Sequence, residues 1–256
     1  MDITDRVIVI TGGGSGIGAA MARRFAEENP KGLVVADIDL GAASEVAGEV
    51  GGVAVLADVS NPGDNEDLIR GTEDRFGPID LFCANAGIGM VGDEQSDPGT
   101  WDRMWAVNVM SHIHAARHLI PAWVARGEGY FLATASAAGL LTNLKAAQYS
   151  VTKHAAVAFA EWLAITYGDS GVKVSALCPQ FVNTPLLEGS EAFKALGANH
   201  TLEPSEVADV VVSGLQDERF LILPHPEVAQ YFQNKANDYE RWLGGMRKLQ
   251  RTVFPD

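Results

Sequence analysis

Cysteine is scarce in this chain, which has only Cys83 and Cys178 among its 256 residues. Two thiols are too few for a disulfide framework or a structural zinc site, so both of these architectures are excluded. Each cysteine lies at the end of an apolar, strand-like run. We therefore expect two buried, reduced thiols in a cytoplasmic protein.

Long apolar runs and positive charge are also limited. No stretch approaches the roughly 20 apolar residues of a membrane-spanning helix, and the acidic opening at residues 1–5 predicts no signal peptide. The chain has 19 Lys and Arg against 33 Asp and Glu, which gives a net charge of −14. Binding to nucleic acid or to an anionic membrane needs clustered cations, so we expect neither as a partner.

Apolar residues nevertheless make up 47% of the chain, which is enough for a large core. They occur in short runs that lack alternating polarity, as in parallel strands covered by helices on both faces. The alternation predicts an α/β fold with a doubly wound parallel sheet of about seven strands and helices on both faces. The predicted strands are 6–11, 33–37, 53–57, 79–84, 129–135, 172–178 and 219–223, and the predicted helices are 16–28, 41–49, 62–76, 98–126, 147–168, 204–216 and 226–250.

We expect a single domain over residues 1–256, because no linker or repeat interrupts this pattern. The stretch 179–203 has no element of its own. A loop of that length inside a domain is usually functional, so we predict that it is a substrate lid. Pro121 falls inside the helical segment 98–126 and is expected to kink it.

The first predicted strand runs into a glycine-rich turn at residues 11–18, TGGGSGIG. Glycine permits a positive φ and close approach of the backbone to a ligand, and the free N–H groups of the next helix bind a pyrophosphate. The position between a strand and a helix favours dinucleotide binding over a simple tight turn. The expected cofactor contacts in this turn are Gly12, Ser15, Gly16, Ile17 and Gly18.

Two carboxylates at strand ends bear on the cofactor. Asp37 ends the second predicted strand, where it accepts hydrogen bonds from an adenosine ribose and repels a 2′-phosphate. The glycine-rich turn and residues 38–40 contain no Arg or Lys to hold such a phosphate, so the sequence predicts NAD. Asp58, followed by Val59, is expected beside the adenine or, alternatively, as a turn cap.

Tyr149 and Lys153 are four residues apart on a predicted helix and share one of its faces. A nearby ammonium favours the phenolate, so we expect Lys153 to lower the pKa of Tyr149 and to make the pair an acid/base device. Such pairs are common on surface helices. Ser136, however, ends the fifth predicted strand, where ligands gather, and is expected to orient a substrate oxygen. Asn108 is expected to have a backbone or water partner and to hold a water behind Lys153 in a proton relay.

Taken in order along the chain, these motifs resemble the compact, single-domain, NAD(P)-dependent form of the short-chain dehydrogenase/reductase family. The turn at 11–18 matches the family's cofactor loop. The sequence Asn85-Ala86-Gly87 matches its motif after the fourth strand, and Cys178-Pro179 through Thr184 matches its loop near the nicotinamide. The residues that match its catalytic tetrad are Asn108, Ser136, Tyr149 and Lys153.

The resemblance implies a Rossmann-type fold, hydride transfer between NAD(H) and a secondary alcohol or ketone, and a homodimer or homotetramer. It implies that Lys153 also binds the nicotinamide ribose and that Val182 and Thr184 contact the carboxamide. Tyr149 is implied to exchange the hydroxyl proton. Further contacts with the cofactor are expected from Asn85, Ala86, Gly87 and Pro179.

The substrate end departs from the family, which usually has glycine where this chain has Gln180. That side chain either narrows the pocket or offers an amide to the substrate. Few cations lie in the loops expected to form the pocket, namely Lys145 and Lys194, beside Asp93, Glu94 and Asp97. An apolar wall favours alicyclic, aromatic or long-chain secondary alcohols over anions. The predicted wall comprises Leu140, Leu141, Leu144, Phe181, Leu186, Leu187 and Phe193, with Ser136, Tyr149 and Gln180 also facing the substrate.

Other features of the sequence bear on alternative functions. His112, His114 and His118 invite a metal site, but no acidic or cysteine ligand is nearby, and we expect no metal. The basic residues of 241–251 alternate with apolar ones, which indicates an amphipathic helix packed on this sheet or on another subunit. A catalytically inactive NAD(H) sensor or scaffold, a 3-oxoacyl thioester reductase and an extended-subfamily epimerase or dehydratase are the functional alternatives.

Overall fold

The computed structural model describes residues 1–187 and 201–254. Its centre is a seven-stranded sheet with the order β3-β2-β1-β4-β5-β6-β7, in which every neighbouring pair is parallel. The strands are β1 (Val7–Thr11), β2 (Gly32–Asp37), β3 (Val53–Leu56), β4 (Leu81–Ala84), β5 (Gly129–Thr134), β6 (Val172–Leu177) and β7 (Leu221–Ile222). The predicted doubly wound sheet is confirmed. Six of the predicted strands contain the observed one, and β2 begins one residue before the predicted start at 33.

Helices cover both faces of the sheet. Alternate residues of β1 serve two separate cores: Val7 and Val9 face one, and Ile8 and Ile10 face the other. The helices are α1 (Gly16–Ala26), α2 (Leu40–Val50), α3 (Pro62–Phe76), α4 (Pro98–Trp105), α5 (Ser111–Arg126), α6 (Ala138–Leu141), α7 (Ala147–Tyr167), α8 (Pro204–Gln216), α9 (Glu227–Asn237) and α10 (Tyr239–Val253). The first core contains residues of α3, α5 and α7, and the second contains residues of α1, α2 and α8.

The strand order reverses between β1 and β4, which are neighbours in the sheet although two strands separate them in sequence. The chain leaves β1 towards β2 on one side and leaves β4 towards β5 on the other. The carboxyl ends of these two strands therefore border an open crevice, which is where ligands bind in sheets of this kind.

The segment predicted as one helix over 98–126 contains a feature that its sequence did not reveal. Between α4 and α5 the chain forms a π-helical turn, Ala106–Met110, and the helix then continues through Pro121. Such turns are rare and frequently occur at functional sites. Asn108 lies in the middle of this one.

The prediction of one continuous helix over 226–250 was wrong. The chain breaks at Asp238, whose backbone is extended (φ −150°, ψ 88°). Its carboxylate accepts a hydrogen bond of 3.0 Å from the Arg241 N–H and so caps the start of α10. Helices α9 and α10 therefore form a hairpin. The short helix α6, directly after β5, was not predicted either.

Cys83 and Cys178 are both buried free thiols, as predicted. Burial raises the pKa of the Cys178 thiol to about 12 and also raises the pKa of Cys83. In the described part of the chain, no helix has an apolar stretch long enough to cross a membrane.

Candidate active site

The glycine-rich turn between β1 and α1 packs so tightly that two of its glycines admit no side chain. Gly12 has a φ of +61°, and a Cβ atom there would lie 2.8 Å from the Ala86 Cα atom. A Cβ atom on Gly18 would lie 2.1 Å from the Gly12 carbonyl oxygen. The turn therefore keeps its backbone exposed at the start of α1, which suits a pyrophosphate.

The end of β4 holds this turn in place. The Asn85 Nδ2 atom donates to the Thr11 carbonyl oxygen at 3.0 Å, and the Thr11 hydroxyl accepts from the backbone N–H groups of Asn85 and Ala86 at 3.0 and 3.2 Å. These bonds join the two strands on either side of the crevice. The motif at 85–87 thus has a structural role in addition to its predicted contact with the cofactor.

Asp37 ends β2 at the rim of the crevice, as predicted. Its carboxylate accepts from the Gly14 N–H at 2.9 Å and from the Asp39 N–H at 3.0 Å. At the end of β3, one oxygen of Asp58 accepts from both the backbone and the hydroxyl of Ser60, so Asp58 is a turn cap in this structure. Both carboxylates still face the crevice.

The crevice is a cavity of about 800 Å³. It collects nearly all of the residues predicted to contact the cofactor. They are Gly12, Ser15, Gly16, Ile17, Asp37, Asp58, Val59, Asn85, Ala86, Gly87, Tyr149, Lys153, Pro179, Val182 and Thr184. Gly18 is absent from its walls because it packs against Gly12 inside the turn.

Ser136, Tyr149 and Lys153 lie together on one wall of this cavity. Ser136 follows β5, and its hydroxyl accepts from the Ala138 N–H at 3.1 Å and donates to the Pro179 carbonyl at 3.5 Å. The Lys153 Nζ atom lies 5.7 Å from the centre of the Tyr149 ring. The hydroxyl of Ser136, the phenol of Tyr149 and the ammonium of Lys153 therefore belong to residues that line the same cavity.

The ammonium of Lys153 is almost fully buried, with 3% of the residue exposed. It donates a hydrogen bond of 2.9 Å to the Thr134 carbonyl oxygen at the end of β5. Burial lowers the pKa of Lys153 from 10.5 to about 8, because the charged form loses its hydration. Lys153 is therefore close to its titration range at physiological pH.

The expectation that Lys153 lowers the pKa of Tyr149 was wrong for the protein alone. Burial raises the pKa of Tyr149, and the Ser136 hydroxyl opposes this rise in part. Desolvation of the phenolate thus decides the direction of the shift, although the Lys153 ammonium lies 5.7 Å from the centre of the ring. A positively charged ligand in the cavity would favour the phenolate by the same electrostatic argument.

The side-chain amide of Asn108 is held on both sides. Its Oδ1 atom accepts from the Ile88 N–H at 2.9 Å, and its Nδ2 atom donates to the Ile88 carbonyl at 2.9 Å and to the Thr152 hydroxyl at 3.1 Å. The residue is fully buried. Both amide hydrogens have protein acceptors, so the side chain fixes the chain after β4 against α7, next to Lys153.

The loop after β6 lines the cavity with Pro179, Gln180 and Phe181. His225, which the sequence analysis did not single out, holds this loop. The Gln180 N–H donates to the His225 Nδ1 atom at 3.1 Å, and the Nε2 atom lies 3.0 Å from the Phe181 carbonyl oxygen. These partners require a neutral ring with its proton on Nε2. An imidazole that follows a short strand had no signal of its own in the sequence.

Gln180 lines the cavity, and the oxygen of its side-chain amide is buried. Within residues 1–187 and 201–254, no group donates to its buried Oε1 atom. Beyond Gln180, Val182 forms an isolated bridge with Leu202, which brings the two ends of the predicted lid together. Residues 188–200 of that lid, including Phe193 and Lys194, lie outside the described residues.

A second cavity, of about 850 Å³, adjoins the first. Four residues line both cavities: Ser136, Asn143, Gln180 and Phe181. The predicted apolar wall is divided between them, because Leu141 and Leu144 line the second cavity while Leu186 and Leu187 line the first. Leu140 was wrongly placed in that wall; its side chain belongs to the core beneath α6.

The histidines of α5 show no metal-binding arrangement. His112 is buried edge-on to Phe131, with ring centres 6.2 Å apart, and its two nitrogens have no partner within the described residues. Burial, and then the charge of Lys153, lowers the pKa of His112 to about 3. Over the described ranges, no three His, Cys, Asp or Glu residues form a group that could hold a metal ion.

Comparisons with known proteins identify the family of this chain. A family model described as "short chain dehydrogenase" matches residues 6–195. A 1-deoxy-11-beta-hydroxypentalenate dehydrogenase from Streptomyces arenae is 34% identical, over 92% of this chain and 88% of that protein. A cyclohexanol dehydrogenase from Acinetobacter sp. is 34% identical (84% and 89% covered), and a D-beta-hydroxybutyrate dehydrogenase from Rhizobium meliloti is 32% identical (84% and 86%).

Solved structures with the same fold include members of this family. A short-chain dehydrogenase/reductase from Burkholderia phymatum, crystallised in complex with NAD, superposes with a TM-score of 0.85 and 30% identity, over 94% of this chain and 96% of that one. The family model spans most of the sequence, and the fold superposes on that of a solved member. The chain therefore belongs to the short-chain dehydrogenase/reductase family of oxidoreductases.

Proposed function

We propose that the protein is an NAD-dependent dehydrogenase of a secondary alcohol, or a reductase of the corresponding ketone. One observation carries the proposal: Ser136, Tyr149 and Lys153 share a cavity with the glycine-rich turn and with Asp37. A proton-transfer group and a dinucleotide site thus face the same space. When bound, the nicotinamide supplies the hydride acceptor or donor.

The fit of a dinucleotide rests on the shape and charge of the cavity walls. The positive φ of Gly12 and the contact between Gly18 and Gly12 leave backbone, not side chains, at the start of α1. Asp37 offers a carboxylate to the ribose hydroxyls and opposes a 2′-phosphate. We therefore propose NAD as the cofactor, with its pyrophosphate at the glycine-rich turn and its carboxamide near Val182 and Thr184.

In alcohol oxidation, we assign each residue one task. The Tyr149 oxygen takes the hydroxyl proton, and the Ser136 hydroxyl donates a hydrogen bond that orients the substrate oxygen. Lys153 donates to the nicotinamide ribose, while its bond to the Thr134 carbonyl fixes its direction. Asn108 is proposed to support the proton path as a positioning residue. Its amide holds Ile88 and Thr152 in place beside Lys153.

The substrate is proposed to be an apolar alicyclic, aromatic or long-chain alcohol. The relative that acts on cyclohexanol supports a neutral alicyclic substrate. Hydroxypentalenate and hydroxybutyrate are carboxylates, so the relatives named for them represent the competing class of anionic substrates. The second cavity favours the neutral class, because its walls include Leu141, Phe181 and Trp242 and, among the described residues, a single cation, Arg241. Each buried methylene is expected to add about 0.8 kcal/mol.

The alternatives have specific counterarguments. An inactive NAD(H) sensor has no need of an aligned Ser136, Tyr149 and Lys153. A 3-oxoacyl thioester reductase would have to receive an acidic carrier protein, which a chain with a net charge of −14 repels. An enzyme of this family that acts on free small molecules is therefore the function proposed.

Three further proposals concern the protein's surroundings. Exposed apolar side chains on α7, with Trp162 at 52% and Ile165 at 84% exposure, support a homodimer or homotetramer. The two unpaired thiols support a reducing cytoplasm. The bridge between Val182 and Leu202 supports a substrate lid over 179–203 within a single domain.

The test is to incubate the purified protein with NAD and a panel of 2-alkanols, cyclic alcohols and 3-hydroxybutyrate, and to follow the absorbance of NADH. We expect kcat/KM to rise with chain length or ring size until the site is filled. A flat series, or 3-hydroxybutyrate as the best substrate, contradicts the substrate class. No oxidation of any alcohol by the folded, NAD-binding protein favours the sensor.

A further inference from the structure

The second cavity adjoins the reacting centre. The four residues that line both cavities include Ser136, whose hydroxyl lies at the catalytic end of the first, and Gln180, which carries the buried Oε1 atom without a donor. Ser136 thus borders both the dinucleotide site and this second space. We call this second space, between the loop after β5 and the α9–α10 hairpin, the distal chamber.

One face of α10 forms the outer wall of the distal chamber. Arg241, Trp242, Gly245, Met246 and Leu249 line it, and their spacing of one, three and four residues is that of a single helical face. Leu243, on another face, is 41% exposed and does not line the chamber. The apolar stripe of α10 therefore faces a cavity beside the reacting centre, and the far end of that cavity is open to solvent, since Leu249 is 39% exposed.

The hairpin that supplies this wall is anchored to the protein. Lys235 of α9 is buried, and its Nζ atom donates a hydrogen bond of 2.6 Å to the Leu140 carbonyl in α6. The same nitrogen lies 5.6 Å from the centre of the Tyr239 ring at the start of α10. Trp242 packs against the core beneath α6. The chamber is thus bounded by a wall fixed to the helix that follows Ser136.

The charges of the chamber favour a neutral occupant. Among the described residues, its walls contain two carboxylates, Glu227 and Asp238, and one cation, Arg241, so cations do not predominate. Its size is within the range of pockets that hold drug-sized ligands. A single six-membered ring held at Ser136 leaves most of this volume unused.

We propose that the distal chamber binds the hydrocarbon body of an extended alicyclic alcohol, beyond the ring that carries the reacting hydroxyl, and that the α10 face sets the limit on its size. This inference rests on the proposed function, because it deepens the substrate class of the same site. It names α9 and α10, which lie far from the catalytic motifs in sequence, as determinants of specificity.

Two adjacent glycines of α10 offer a matched pair of variants. Gly245 lines the chamber, and a Cβ atom built on it meets no atom within 4 Å, so Gly245→Phe adds a ring to the open space without displacing the fold. Gly244 does not line the chamber, and a Cβ atom there reaches only the Arg247 guanidinium, at 4.0 Å. Gly244→Phe therefore makes the same chemical change on another side of the helix.

The substrate pair is cyclohexanol and 4-cyclohexylcyclohexanol, which share the reacting ring and differ by a second ring. In wild type, the larger alcohol is expected to have the higher kcat/KM, by about 10-fold or more. Gly245→Phe should abolish that advantage while leaving cyclohexanol within about two-fold of wild type, and Gly244→Phe should change neither value by more than about two-fold. The KM for NAD should be the same in all three proteins.

Calorimetric titration of 4-cyclohexylcyclohexanol into each protein with NADH bound gives a second readout that needs no turnover. Gly245→Phe should weaken this binding by about 10-fold or more, and Gly244→Phe should not. Equal effects of the two variants, or no effect of Gly245→Phe, overturn the chamber as the binding site. Binding lost only in Gly245→Phe, in a protein that oxidises neither alcohol, supports the chamber and refutes the proposed function.

Discussion

The Lys153 ammonium is fixed by the Thr134 carbonyl, 2.9 Å away, at the carboxyl end of β5. One of its three hydrogens is thus committed to the sheet, and the other two remain for the ribose and for the proton path. The same burial that fixes the ammonium disfavours its charge. The cost of charging Lys153 can be measured as a dependence of stability on pH.

The first prediction concerns the charge on Lys153. Its pKa is lowered to about 8 in the folded protein against an ordinary 10.5. Between these values the unfolded chain binds a proton that the folded protein has released, so the free energy of unfolding rises with pH. Relative to Lys153→Met, wild type without cofactor should gain about 2 kcal/mol between about pH 7.5 and about pH 9.5 in urea denaturation. Parallel curves for the two proteins would contradict this.

The second prediction concerns acid stability. The pKa of His112 is lowered to about 3 in the folded protein against 6.5 ordinarily, first by burial and then by Lys153. As the pH falls below 6.5, the unfolded chain takes up a proton that the folded protein refuses, and stability is lost. At about pH 5, wild type should have lost about 2 kcal/mol that His112→Leu retains. His118→Leu, at an exposed position of the same helix, is the control and should behave as wild type.

The third prediction concerns proton transfer. Tyr149→Phe removes one hydroxyl, so the fold and the Kd for NADH should be preserved. Turnover should fall by roughly 10²–10⁴-fold, the usual contribution of a general acid or base. Ser136→Ala should reduce turnover to a comparable degree, again without weakening NADH binding. A Phe variant that turns over cyclohexanol at nearly the wild-type rate would remove Tyr149 from the mechanism.

The fourth prediction concerns the choice of cofactor. Asp37→Ser should raise the KM for NAD and reduce discrimination against NADP, since the repulsion of the 2′-phosphate is lost. The carboxylate also accepts from the Gly14 N–H, so Asp37→Asn is the better control: it removes the charge but retains an acceptor oxygen. Relaxed discrimination in Asp37→Asn assigns the effect to charge. A wild type with higher kcat/KM for NADP refutes the role of Asp37.

The sequence predicted those parts of the site that are formed by residues close together in the chain. A glycine-rich turn between a strand and a helix, and a Tyr and a Lys four residues apart, are short-range patterns. The sheet brings their elements together because ligand-facing residues end parallel strands. The cavity at the carboxyl ends of β1 and β4 therefore contains Tyr149, Lys153 and most of the glycine-rich turn, which local patterns indicated. It also contains Val182 and Thr184, which only the family resemblance implied.

What the sequence did not show depends on contacts between distant segments. The apolar stripe of α10 predicted an amphipathic helix, but nothing in it identified the loop after β5 as the surface it faces. The break at Asp238 depends on an N-cap that local periodicity does not distinguish from an exposed helical residue. The pKa of Tyr149 was expected to follow the nearest charge, whereas desolvation by the surrounding fold decides its direction.

The two buried thiols give the protein internal reporters of its own opening. Cys83 lies in β4, and Cys178 directly precedes the loop that lines the active site. Neither has an exposed surface, so a thiol reagent labels each one only when its surroundings open, and the labelling rate measures the free energy of that opening. Local opening of the central sheet and local opening of the active-site loop can thus be followed separately in the unmodified chain. A ligand that closes the cavity should slow the labelling of Cys178 most.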